Sequence, residues 1–407
     1  MDCLVEEPCP QCGAPVALEE TARLLVCQYC AVPQVVVAPA PFRYVLPHSR
    51  QAADVLLAPY WRFRGTVYSC DTGGLRHRHV DTTGRGVDLA GLPASLGLRP
   101  QAMRLRFATQ ERAGRALPPR LPLASILARA PQPEDRPSEI RPLFAAAIGE
   151  TVSLVYLPLV QAGRQVLDAV TGQPLAVGDS PEILAGVPSE PLAWRPTFLA
   201  SLCPNCGAGL AGAADSLALA CPNCQRLWAA DAAGFRDLPW RLVPGQGPAP
   251  SYLPFWRIEA GLPALGITSR ADFLRVTGQP RLPAPQDENE AMAFLVPAFK
   301  LPPPLFLTTA VRLALAGKAF PGQGTLPRQG LHGANLPRSE AVEALRLIVA
   351  QATVLRRTVL PALAEVRFAI QAIELCYLPF AAAGPDLVLE GLPLAVNKSA
   401  LRLGSQL

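Results

Sequence analysis

From Glu365 to Phe380 the chain alternates. Val366, Phe368 and Ile370 fall on one face; Glu365, Arg367 and Gln371 fall on the other. That period of two is the mark of a half-buried strand. Thr151–Val160 and Arg164–Val170 read as a hairpin, with a turn following at Thr171-Gly172. Two more strands share a Pro-aromatic-Trp-Arg core, Pro59-Tyr60-Trp61-Arg62 and Pro254-Phe255-Trp256-Arg257. Proline cannot donate to a ladder, which predicts that these strands lie at sheet edges or bulges. Helical stripes are fewer. Glu340–Thr353 predicts a helix capped by Ser339, with Val342, Leu345 and Val349 on its apolar face. Pro302–Pro304 open a helix through Leu305–Ala316. Ser269–Leu274 reads as a short helix start, and Pro137–Gly149 as a helix. The fold class expected is α+β and β-dominated.

The pattern occurs twice. Each half opens with a cysteine-rich module, continues with the Trp strand and ends with a Tyr-Leu-Pro strand, Tyr156-Leu157-Pro158 and Tyr377-Leu378-Pro379. The offsets are 194 for the cysteines (203 − 9), 195 for the Trp strand (256 − 61) and 221 for the Tyr-Leu-Pro strand (377 − 156). Retained order with differing insertions predicts a tandem duplication. The units expected are cysteine-rich modules at 1–41 and 201–236, β-rich domains at 42–176 and 237–407, and a Pro-rich linker at 177–200. The second β-rich domain carries a few helices. Ala116–Pro122 and Ala130–Pro137 read as Pro-rich interruptions of the first half.

Composition narrows the class. Of 407 residues half are hydrophobic and 17% are charged, which argues for a packed chain with a charge-poor surface. Such a surface suits docking of a protein partner or of a second copy. Lysine is confined to Lys300, Lys318 and Lys398, and arginine carries the positive charge, a bias that suits a GC-rich bacterial genome. No secretory segment opens the chain, and no uncharged apolar run reaches the ~18 residues of a membrane span. With reduced thiolates, this predicts a cytoplasmic protein.

The sharpest chemistry is sulfur. Cys9-Pro10-Gln11-Cys12 is followed after fourteen residues by Cys27-Gln28-Tyr29-Cys30, and Cys203-Pro204-Asn205-Cys206, again after fourteen, by Cys221-Pro222-Asn223-Cys224. Two CxxC pairs so spaced form a tetrahedral four-thiolate zinc site. Gly13 and Gly207 follow the first pair of each set, where the knuckle needs a positive φ; Ala31 and Gln225 follow the second pairs and lack that freedom. The spacer fits a hairpin running between the knuckles, Val16–Glu19 with Leu24–Cys27 in the first set and Leu217–Cys221 in the second. Over Glu7–Val36 and Leu202–Ala230 the chain resembles the zinc-ribbon family, in its rubredoxin-like or transcription-factor-type form. The resemblance implies two structural Zn2+ sites. It specifies metal and local fold and leaves the task open.

Other residues carry weaker signals. Tyr60–Arg120 holds eleven arginines against four acidic residues, with Tyr60, Trp61, Phe63 and Phe107 interleaved. A nucleic-acid groove has this composition, with Arg62, Arg64, Arg76, Arg78, Arg104 and Arg106 as its contacts. So does a set of solvated strand faces. The cysteine modules are not basic: 1–41 carries Arg23 against five acidic residues, and 201–230 carries Arg226 against Asp215. Phosphate binding rests on Lys and Arg, so nucleic acid is the alternative reading. His77 and His79 share a strand face without further ligands, and Cys3, Cys70 and Cys376 read as core residues. The expected function is a non-enzymatic zinc-binding scaffold or adaptor that docks protein partners.

Overall fold

The computed structural model describes residues 3–51, 54–109, 115–129, 142–177, 188–247, 250–317, 320–322 and 324–404. In chain order the first half runs β1 (Leu4–Pro8), β2 (Pro15–Glu19), β3 (Leu24–Val26), β4 (Pro33–Val37), β5 (Phe42–Val45), β6 (Val55–Asp71), β7 (Gly74–Arg85), α1 (Arg99–Ala102), β8 (Arg104–Phe107), β9 (Arg115–Ala116), α2 (Leu123–Arg129), β10 (Phe144–Ala162), β11 (Gln165–Asp168) and β12 (Pro174–Leu175). Next come β13 (Glu190–Pro191), β14 (Thr197–Ala200), β15 (Leu219–Ala220), β16 (Leu227–Asp231) and β17 (Gly234–Asp237). The second half continues through β18 (Trp240–Leu242), β19 (Ser251–Gly261), α3 (Arg270–Val276), α4 (Pro285–Asn289), β20 (Ala293–Pro297), α5 (Pro303–Ala316), α6 (Arg338–Ala352), α7 (Arg356–Leu363), β21 (Ala369–Ala383), β22 (Asp386–Leu389), β23 (Ala395–Asn397) and α8 (Lys398–Gly404). Strands dominate, as the alternation implied.

Each half is built on one pair of long antiparallel strands, β6 with β10 and β19 with β21. The two pairs keep the same register. Pro59 faces Tyr156 as Pro254 faces Tyr377, and Leu57 faces Pro158 as Tyr252 faces Pro379. The flanks repeat too. Parallel β5 places Val45 beside Tyr156, and parallel β18 places Leu242 beside Tyr377. The indole of Trp61 donates to the Leu121 carbonyl at 2.7 Å, and that of Trp256 to the Leu336 carbonyl at 2.9 Å. The first sheet runs β13-β9-β6-β10-β5-β8-β1-β2, with β7 on β6 and β11–β12 on β10; the second runs β20-β19-β21-β22-β23, with β18 on β21.

The Trp and Tyr-Leu-Pro strands are central, not at edges. Each proline instead sits where two shorter neighbours meet end to end. Along β6, β9 pairs Leu56 and Leu57 and β7 begins at Tyr60, leaving Pro59 at the seam. Pro158 falls between β5, which ends at Tyr156, and β11, which begins at Leu159. Pro379 falls between β18 and β22, and Pro254 between the Tyr252–Leu331 bridge and β20. No donor is due at a seam, so its loss costs nothing there. The carbonyls still accept, from Gly86, Ala169, Ala298 and Glu390 at 2.8, 2.9, 3.0 and 3.1 Å.

Other expectations are corrected. Phe144–Gly149 is strand, because Ala145–Ala147 pair with Ser69–Val67 of β6 and the alanines join a sheet rather than a helix; 137–141 lies outside the described residues. Helix α6 begins at Arg338, and its cap position is Pro337, so Ser339 does not cap it. Ile370 is exposed, since β21 there runs past β18. Ala116–Pro122 is no interruption: Ala116 pairs with Leu57 and Leu117 is buried. The stretch 177–200 holds β13, buried Trp194 and β14, with 178–187 outside the description. Ala130–Pro137 is outside it as well. Tyr68, Cys70, Phe144 and Ile148 of the first half pack in one apolar core with Phe306 of α5 and Leu345 and Ile348 of α6. Among the described residues no helix is long and apolar enough to cross a membrane.

Candidate metal centres

Every CxxC pair is the tip of its own hairpin. In the first set the Cys9–Cys12 knuckle joins β1 to β2, and the Cys27–Cys30 knuckle joins β3 to β4. The spacer therefore does not form the hairpin expected between the knuckles; β2 pairs back to β1 and β3 pairs on to β4. Each knuckle closes with the same backbone bond, from Gly13, Ala31, Gly207 and Gln225 N–H to the carbonyls of Cys9, Cys27, Cys203 and Cys221, at 2.8, 2.9, 2.8 and 3.1 Å. All four closing residues adopt positive φ, at 75°, 55°, 72° and 60°. Ala31 and Gln225 thus take the left-handed turn without glycine's freedom.

The hairpin tips bring the sulfurs together. Cys9, Cys12, Cys27 and Cys30 form one cluster, and Cys203, Cys206, Cys221 and Cys224 the other, each with all Sγ atoms within 4.8 Å. Cys9–Cys30 and Cys12–Cys27 lie at 3.9 and 3.7 Å; Cys203–Cys224 and Cys206–Cys221 lie at 3.5 and 3.4 Å. A tetrahedron with sulfur ~2.3 Å from its centre has edges of ~3.8 Å. A disulfide would be ~2.05 Å, and all eight are free thiols. The donor set fits a four-coordinate, thiophilic metal ion. Outer donors steady the sulfurs: Gln34 Nε2 reaches Cys9 Sγ at 3.7 Å, and the N–H groups of Tyr29 and Cys224 reach Cys27 and Cys221 Sγ at 3.4 Å. The Asn223 side chain and the Ala208 N–H bring the Cys206 thiol down to about 6, while burial pushes Cys221 up to about 11. Four thiols this close do not all ionise unaided; a bound cation removes the conflict.

The two clusters are joined. β14 leads into Cys203 and pairs with β4, which leaves Cys30. The N–H groups of Arg23 and Leu24 donate to the Ala214 carbonyl at 2.7 and 2.8 Å. Val35 and Val37 share an apolar core with Leu210, Leu219 and Trp228. The first module is also tied to its sheet: β1 pairs with β8, and buried Glu20 accepts from Arg62 Nε at 3.0 Å and Ser153 Oγ at 2.6 Å.

Arg62 is 1% exposed and also pairs with Asp81 at 2.7 Å, which removes it from any nucleic-acid surface. Arg64 is half-buried. Arg76 pairs with Asp71 at 3.3 Å, Arg78 donates to the Leu127 carbonyl at 3.0 Å, Arg104 pairs with Glu6, and Arg106 is exposed. Arg76 and Arg78 lie on β7 and Arg104 and Arg106 on β8, with β6, β10 and β5 between. Cys3, Cys70 and Cys376 are buried, and burial raises all three thiols. Sequence reasoning missed Gln34, whose place near Cys9 follows from the β3–β4 pairing and leaves no local signal. Comparison with protein-family models, with curated proteins and with solved structures gives no match.

Proposed function

We propose that the chain is a non-enzymatic zinc-binding scaffold: two ribbon-type modules, 1–41 and 201–236, brace two copies of one β-rich unit that present docking surfaces to protein partners in the bacterial cytoplasm. One observation carries this reading. Each cluster supplies four sulfurs from the chain itself, so a tetrahedral ion is saturated and keeps no position for water or substrate. The metal's role is then structural, and the β4–β14 pairing passes its rigidity from one module to the other. A tetrathiolate site also accepts iron, so metal analysis comes first. Zinc at two equivalents, with protein partners or a self-assembled oligomer recovered on affinity purification from the native host, is the expected outcome. A monodisperse monomer that retains no partner would overturn the scaffold reading. An oligonucleotide complex lost at high salt and in an Arg104→Ala, Arg106→Ala variant would replace it with nucleic-acid binding.

A further inference from the structure

Between the second cysteine cluster and the 326–333 segment lies a cavity of about 280 Å³. Ala211, Ala213, Ala218, Ala220, Leu326 and Leu331 give it small apolar walls, and Cys221 lies at one side. Its two banks are pinned: the Leu217 N–H donates to the Ala334 carbonyl at 2.7 Å, and Asn335 Nδ2 to Asp215 at 2.6 Å.

The repeat shows what is unusual here. Tyr156 and Tyr377 hold the same register in the two halves. The Tyr156 hydroxyl accepts from Arg43 Nη1 at 3.5 Å. Tyr377 is 1% exposed and lines the cavity, and its hydroxyl has no hydrogen-bond partner among the described residues. A hydroxyl that no neighbour in the fold engages is free to bond a molecule held in the cavity. Burial keeps this phenol protonated, hence a donor. His332 also lines the cavity, and burial lowers its pKa, which keeps the imidazole neutral. At the mouth stands exposed Arg328, with no carboxylate partner among the described residues.

We propose that this cavity binds a small monocarboxylate with a compact two-ring apolar body, its carboxylate held by Arg328 and the Tyr377 hydroxyl. An enclosed cavity of ~150 Å³ takes one benzene ring; the space here is larger and open to solvent along Ala211–Ala213 and Arg328–Gly330, with room for a two-ring body. Arginine and a phenol together form charge-assisted bonds to a carboxylate, and apolar walls with few convergent polar groups are what such ligands use.

Titration calorimetry of the full-length, metal-loaded protein with 2-naphthoate tests it. One saturable site is expected, with the uncharged 2-naphthamide bound at least about tenfold more weakly. Tyr377→Phe, which keeps the ring in place, is expected to weaken binding about tenfold. Arg328→Gln is expected to abolish the preference for acid over amide, and Ala213→Phe, at an exposed wall position, to block entry. No saturable binding up to about 5 mM, weaker than the usual range of specific ligands, would overturn the assignment. So would binding that all three variants leave unchanged.

Discussion

Ala31 and Gln225 pay for the shape of their knuckles. A residue with a Cβ in the left-handed region is strained by ~1 kcal/mol or more, and these are the two non-glycine residues with positive φ among those described. Ala31→Gly and Gln225→Gly are each expected to raise the stability of the metal-loaded protein by up to ~1 kcal/mol, read from urea midpoints; a loss of stability would show that the strain is absent. A second residue sets a pH dependence. Glu340, on the first turn of α6, accepts from the N–H groups of Gly149 and Glu150, where β10 bulges against the second half. Burial, then the charge of Glu150, pushes its carboxyl up to about 7, with Lys300 opposing. A carboxyl whose pKa is raised on folding favours the folded state at low pH, and that contribution fades as pH rises from about 4.5 through about 7. Glu340→Gln is therefore expected to be more stable than the parent at pH 8, with the difference shrinking toward pH 6. A difference that ignores pH would mean Glu340 does not titrate there.

Among the elements, the two Trp strands show how far the sequence could be read. Their repetition and β character were visible, because Pro-aromatic-Trp-Arg recurs in order. Their central placement was not, because proline's missing donor is a local fact, whereas the seam that makes it harmless is created by two neighbours far along the chain. For the same reason Ala145–Ala147 read as helix: only pairing with β6 makes them strand. A repeated Pro-Leu-Ala-Val, at 174–177 and 393–396, marks a further match between the halves, since it lies at β12 and at β23. The cysteine quartets were legible in full, because ligand spacing is local, while the hairpin assignment of their spacer depended on which strand pairs with which. If the halves are one design, their Trp anchors should answer alike. Trp256→Phe leaves the Leu336 carbonyl without its donor and is expected to cost ~1–3 kcal/mol, and Trp61→Phe a similar amount at Leu121. A cost at one position with none at the other would separate the halves energetically.

For the whole molecule, the two cysteine modules are not equivalent. The first lends β1 and β2 to the eleven-stranded sheet and anchors Glu20 on Arg62, whereas the second carries its own three-stranded sheet, β15-β16-β17. Removing metal from the first set should therefore spread further. Cys9→Ser is expected to lower the thermal midpoint more than Cys203→Ser, and equal losses would argue against that difference in anchorage. Both losses should be large if the quartets hold zinc, since a structural zinc ion contributes on the order of 10 kcal/mol to a small module. The most direct test of the account is native mass spectrometry of the purified chain. It predicts a folded protein carrying two zinc ions, falling to one when either quartet loses two of its cysteines. A folded, metal-free chain, or two zinc ions retained after such a loss, would contradict it.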